Sequence, residues 1–112
     1  MVVKFKDWQI AGATVLADSF FARARGLMGR KSFDGFDGMM IRPCNSIHTF
    51  FMHFPIDVIF LNGNYEVVKV FESLKPWRMT IPYWGATQVL ELAAGTIQGR
   101  LSKGDRLEVL DV

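Results

Sequence analysis

The only cysteine, both histidines and one carboxylate set among hydrophobic residues fall in a single stretch, Pro43 to Leu61, reading PCNSIHTFFMHFPIDVIFL. Three chemistries are open to it. A Cys44–His48 nucleophile pair needs its two side chains within hydrogen-bond reach. Four residues along a strand span roughly 13 Å at ~3.3 Å each, so only a bend at Pro43-Cys44 brings them together. Cys is also among the most buried residue types, and a packed, poorly reactive thiol is the expectation. A metal ion could draw on Cys44, His48, His53 and Asp57, but C-x3-H-x4-H-x3-D matches none of the tight ligand pairs of a structural zinc site. No metal and no cofactor is expected. Finally, Asp57 lies between Ile56 and Val58, where an unpaired carboxylate is costly to bury. It can orient the imidazole of His48 for acid–base work, pair with an arginine of the Arg25–Arg30 segment, or accept backbone N–H bonds at a turn.

Strands must position these groups. Ser46–Met52 is rich in aromatic and β-branched residues, which suit a pleated, half-buried surface. Alternation puts Ile47, Thr49 and Phe51 on one face and Ser46, His48, Phe50 and Met52 on the other. Both faces are mostly apolar, which predicts a central strand covered on both sides, ended by Pro55. Ile56–Leu61 and Tyr65–Phe71 predict an antiparallel hairpin turned at Asn62-Gly63-Asn64, because Asn and Gly tolerate the positive φ of tight turns. Val2–Gln9 and Ala13–Ala17 predict two short strands turned at Ala11-Gly12. Met39–Arg42, Ala86–Leu92 and Arg106–Val112 predict three more.

Asp18 or Ser19 suits a helix N-cap, and Phe20, Ala24, Leu27 and Met28 recur at helical spacing. Together they predict one helix over 19–28 that docks through those four residues. Gly26 inside it costs about 1 kcal/mol relative to Ala, which suggests close packing or early termination. Gly29 is the natural C-terminal cap. Ser73–Trp84, with two prolines and three large aromatics, predicts a long covering loop. The fold class is therefore mainly β: a β-sandwich or barrel-like single domain with one short helix packed on the sheet.

A chain of 112 residues, half of them apolar, suffices for one folded domain. A lone cysteine forms no internal disulfide. The N-terminus lacks the apolar core of a signal peptide. The longest run free of Asp, Glu, Lys and Arg, Pro43–Ile56, is too short for a membrane span. A soluble cytoplasmic protein is the expectation, with no membrane partner. The net charge of +2 is too small to argue for nucleic acid. Arg23, Arg25, Arg30 and Lys31 cluster within one short segment, as a solvated helix face or an anion site.

RGLMGR at Arg25–Arg30, GMM at Gly38–Met40, HTFFMHFPIDVIFL at His48–Leu61, VLEL-AG at Val89–Gly95 and GD at Gly104–Asp105 follow in one order. In this the chain resembles the prokaryotic domain-of-unknown-function family 192 over nearly its whole length. Many members read closer to FWMKNT-x-x-PLD in the central block, whereas this chain reads FFMHF-PID, without the Lys-Asn-Thr segment. The resemblance implies a compact, mainly β domain, and transfers no activity and no catalytic residue.

The functional expectation is a module binding a small anionic ligand, a peptide or a partner protein. The 73–84 loop would wall a cleft with Trp77, Tyr83 and Trp84, while His48 and Asp57 lie at its floor and Arg25 or Arg30 at its rim. The alternative is a small enzyme or metal site using His48 and Asp57.

Overall fold

The computed structural model describes residues 1–111. In chain order its elements are β1 (Val2–Phe5), β2 (Trp8–Ala11), β3 (Thr14–Ala17), α1 (Phe20–Arg25), β4 (Gly38–Ile41), β5 (Ile56–Leu61), β6 (Val67–Leu74), β7 (Gln88–Ala93) and β8 (Glu108–Leu110). The predicted first strand, Val2–Gln9, is two strands, because the chain turns at Lys6 with φ 54°. The predicted strand 106–112 is realised as β8, and Val112 lies outside the described residues.

The strands form two sheets, ordered β2-β1-β8 and β3-β4-β7-β5-β6. Among the described residues only β3 and β4 pair in parallel; the other pairings of the large sheet are antiparallel. Parallel neighbours need a crossover, and α1 with the loop after it supplies one. Gly38, which opens β4, is closely packed. A Cβ there would stand 3.2 Å from both Ala11 Cβ and Thr14 Oγ1.

The large sheet is covered on both faces. On one, Met40, Ile59, Leu61, Leu90 and Leu92 share a core with Val3, Ile10 and Ala11 of the small sheet, which is the sandwich. On the other, Met39, Ile41, Val58, Phe60 and Val89 pack with Leu27 and Met52. A strand buried on both faces reads as a continuous apolar run, and IDVIFL of β5 is buried at every position.

The expected hairpin forms, β5 and β6 pairing antiparallel, with the second strand at Val67–Leu74 rather than Tyr65–Phe71. Its turn is built by Asn62, whose Oδ1 accepts from the N–H groups of Asn64 at 2.9 Å and Glu66 at 3.0 Å. The positive φ, 61°, falls on Tyr65 rather than on Asn or Gly.

Two predicted elements are corrected. Ser46–Met52 is not a strand. It crosses the second face of the large sheet as irregular chain, with a single bridge between His48 and Met79 and hydrogen bonds such as Thr49 N–H to Arg78 O at 2.7 Å. Phe51, with φ 64°, interrupts the pleat. The places at the centre of the sheet belong to β5 and β7, so the apolar residues of 46–52 serve as a cover layer.

The helix spans Phe20–Arg25 rather than 19–28. Ser19 caps it, its Oγ accepting from Ala22 N–H at 3.1 Å, and Gly26 ends it with φ 48° and ψ −126°. No residue of α1 is buried; Phe20 is 72% exposed and Phe21 83%. Leu27 anchors the segment from the turn beyond the helix, at 2% exposure. Gly29, the predicted cap, donates its N–H to Phe51 O at 3.1 Å. No helix among the described residues is long and apolar enough to cross a membrane.

Candidate functional site

Glu91 alternates with Leu90 and Leu92 along β7. It sits opposite Met39 of β4 and Val58 of β5, and so shares their face of the large sheet. It is 3% exposed. Burial disfavours the charged form of a carboxyl group and pushes that of Glu91 up from 4.5 to about 8. At neutral pH it is mainly the uncharged acid. The chain leaving α1 passes close over it: a Cβ on Gly26 would lie 3.7 Å from Glu91 Oε1.

Glu91 and Ile41 form the floor of a cleft of about 290 Å³. One wall comes from α1 and the turn after it, with Phe20, Arg23, Arg25 and Leu27. The other comes from the irregular segment, with Cys44, Ile47, His48, Phe50 and Met52. The walls are thus largely apolar, and Arg23 and Arg25 are the cationic residues along one of them.

Because 43–52 is not extended, Cys44 and His48 line the same cleft. Each has a local partner. Cys44 Sγ donates to Ser46 O at 3.1 Å, and His48 Nδ1 accepts from Phe50 N–H at 3.2 Å while its ring stacks on Phe50. Burial is the main influence on the thiol and raises it; Glu91 adds to the rise, whereas the Ser46 carbonyl and Arg23 oppose it. A thiol held protonated, without a base bonded to it, is not an activated nucleophile.

Of the residues singled out in the sequence, His48 and Arg25 line the cleft, and Asp57 does not. The parity of β5 turns Asp57 to the opposite face of the sheet, fully buried. There its two carboxylate oxygens accept from Ser73 N–H at 2.8 Å and Ile97 N–H at 2.9 Å. The expected approach of His48 and Asp57 is therefore absent, for a physical reason: the sheet lies between them. Arg30 stands over the Phe36 ring at 5.3 Å, away from the cleft. Trp77 packs on Phe51 and Phe50 at 4.7 and 5.9 Å, outside the cleft but next to its Phe50 wall. Tyr83 joins the core against Phe60 at 4.9 Å. Trp84 is 91% exposed. Thus α1, not the 73–84 loop, supplies the wall facing 43–52.

Glu91 was not among the residues singled out in the sequence, and Arg23 stood there only as one of the cationic cluster with Arg25, Arg30 and Lys31. The signal for Glu91 was present: a lone carboxylate in the apolar run VLEL, the same pattern that drew attention to Asp57. Among the described residues no three His, Cys, Asp or Glu side chains are grouped to hold a metal ion.

Comparisons place the molecule among known proteins. It is 42% identical to a UPF0127 protein of Pyrococcus horikoshii over 81% of each chain. A UPF0127 protein of Thermococcus sibiricus is longer, and the match spans 62% of it. A crystal structure of a protein of unknown function from Novosphingobium aromaticivorans superposes with a TM-score of 0.80 at 24% identity, over 96% of this chain and 82% of that one. Another, from Sinorhizobium meliloti and described as a candidate transcription regulator, has a TM-score of 0.71 at 28% identity, over 85% and 79%. The sequence model of DUF192, "Uncharacterized ACR", matches residues 3–109, and the chain belongs to that family.

Proposed function

We propose that this domain binds a small anionic ligand in the cleft between α1 and residues 43–52. The observation that carries the reading is the meeting, on one cleft, of a buried uncharged carboxyl group with two arginines, Arg23 and Arg25. With Glu91 uncharged near neutrality, the guanidinium groups favour a carboxylate or phosphate, to which arginine bonds with charge assistance. Leu27, Ile41, Ile47 and Met52 supply the apolar contact area usual in ligand sites. The enzyme alternative built on His48 and Asp57 loses its basis, since the two face opposite sides of the sheet.

A thermal-shift screen of carboxylates and phosphates tests the reading. A ligand at 100 times its Kd adds about 2.7 kcal/mol, and Arg23→Gln should remove the shift. No shift with any anion counts against the site.

A second reading, a protein-interaction module, draws on Phe51, Trp77, Met79, Ile81 and Trp84, which are 56–91% exposed. Exposed apolar patches of this kind mark partner sites. Self-association that is lost in a Trp77→Ser/Trp84→Ser variant would favour it.

A further inference from the structure

We infer that Glu91 sets the specificity of the cleft: in its protonated form it donates a hydrogen bond to the carboxylate of a small monocarboxylic acid whose apolar body lies along Leu27, Ile41 and Met52. This rests on the reading of the cleft as a ligand site and names the ligand class. The geometry supports it in three ways. Glu91 is 97% buried yet lies on the floor of the opening rather than in packed core. Burial is what raises its carboxyl group, and its place in the lining of the cleft puts it within reach of a bound ligand. The cleft of about 290 Å³ has room for roughly ten groups of water size at about 30 Å³ each, which suits an acid with a short chain or one ring.

The choice of a carboxylic acid over inorganic phosphate follows from the apolar lining. The charged and titratable groups facing this space are Arg23 and Arg25 from α1 and Cys44 and His48 from the irregular segment. From the sheet, Met39, Ile41 and Val58 surround Glu91 with apolar side chains. Two arginine residues along one wall balance either anion, but the apolar floor and walls suit a carboxylate carried on an apolar body. A dianion would leave charge desolvated against Ile41 and Leu27.

Ionised Glu91 would meet the ligand carboxylate as a like charge, so the binding-competent protein is the fraction that keeps the proton. Apparent affinity falls in proportion to that fraction. With the carboxyl group at about 8, the apparent Kd rises about tenfold from pH 7 to pH 9.

The experiment is calorimetric titration of the intact protein with hexanoate and 3-phenylpropionate, with hexylamine and inorganic phosphate as comparators. The acids should bind better than either comparator, and their affinity should weaken about tenfold across that pH range. Glu91→Gln, which keeps a neutral donor, should bind the acids equally at both pH values. Arg23→Gln should weaken binding at both without changing their ratio. His48→Asn and Cys44→Ala should keep the wild-type ratio, which assigns the pH dependence to Glu91. Acid binding that is independent of pH, or a ratio unchanged by Glu91→Gln, overturns the inference while leaving an arginine-dependent anion site intact. Preference for phosphate overturns the ligand class. No binding of any anion up to about 10 mM, where Kd corresponds to only a few kcal/mol, overturns the site reading itself.

Discussion

Asp57 and Glu91 stand on adjacent strands of one sheet, with Asp57 beside Leu92 and Glu91 beside Val58, and their carboxyl groups face opposite ways. Asp57 points toward the small sheet and is consumed by two backbone N–H groups. Glu91 points into the cleft and is held uncharged by burial. One residue of register separates a structural carboxylate from a candidate ligand-binding one, since side chains alternate across a strand.

Asp57→Ala should be strongly destabilising. It leaves the N–H groups of Ser73 and Ile97 without their acceptors; the Ile97 bond is buried and the Ser73 bond partly so, and a buried unpaired donor costs about 1–3 kcal/mol. Urea denaturation should show a loss on the order of 2–5 kcal/mol. Asp57→Asn, with one acceptor oxygen left, should lose less. An unchanged midpoint for the alanine variant contradicts the assignment.

Glu91→Gln should stabilise the protein near neutral pH. The folded carboxyl group is raised above its usual value of 4.5 to about 8, so between these limits the folded state holds a proton that the unfolded chain has released. Stability from this group is complete below about pH 4.5 and is lost as pH rises through about 8. At pH 7 the gain from the neutral isostere should be on the order of 3 kcal/mol. Denaturation midpoints at several pH values should decline for the wild type over that window and stay flatter for the variant.

The docking of the α1 segment should reside in one residue. Leu27→Ala, at a side chain 2% exposed, should cost about 2–5 kcal/mol. Phe21→Ala, at one 83% exposed, should stay within about 0.5 kcal/mol. Equal losses in the two variants would show that the helix itself packs on the sheet.

Cys44 should react slowly with thiol reagents in the native protein, because burial raises its thiol and the thiolate is the nucleophile. Denaturation should make it fully reactive. A carboxylate bound in the cleft should slow native labelling further, since Cys44 lines the same space. Rapid native labelling near neutral pH would return Cys44 to candidacy as a nucleophile.

Local signals in the sequence determined much of this protein. Two β-prone runs on either side of Asn62-Gly63-Asn64 marked the hairpin, Asp18 or Ser19 marked the start of the helix, and the balance of strand to helix residues marked a mainly β, sandwich or barrel-like domain. Each is a short-range preference that tertiary contacts reinforce. Other features were decided only in three dimensions. Ser46–Met52 has the alternation of a central strand, but the edges of β7 are already paired with β4 and β5, so the segment covers the sheet instead of joining it. Phe20 and Ala24 have helical spacing, but Gly26 ends the helix before that stripe can reach the core. The two carboxylates look alike in sequence, each alone in an apolar strand. Which one meets backbone N–H groups and which meets an open cleft depends on the layer packed against each face, and that is a property of tertiary packing that no local pattern encodes.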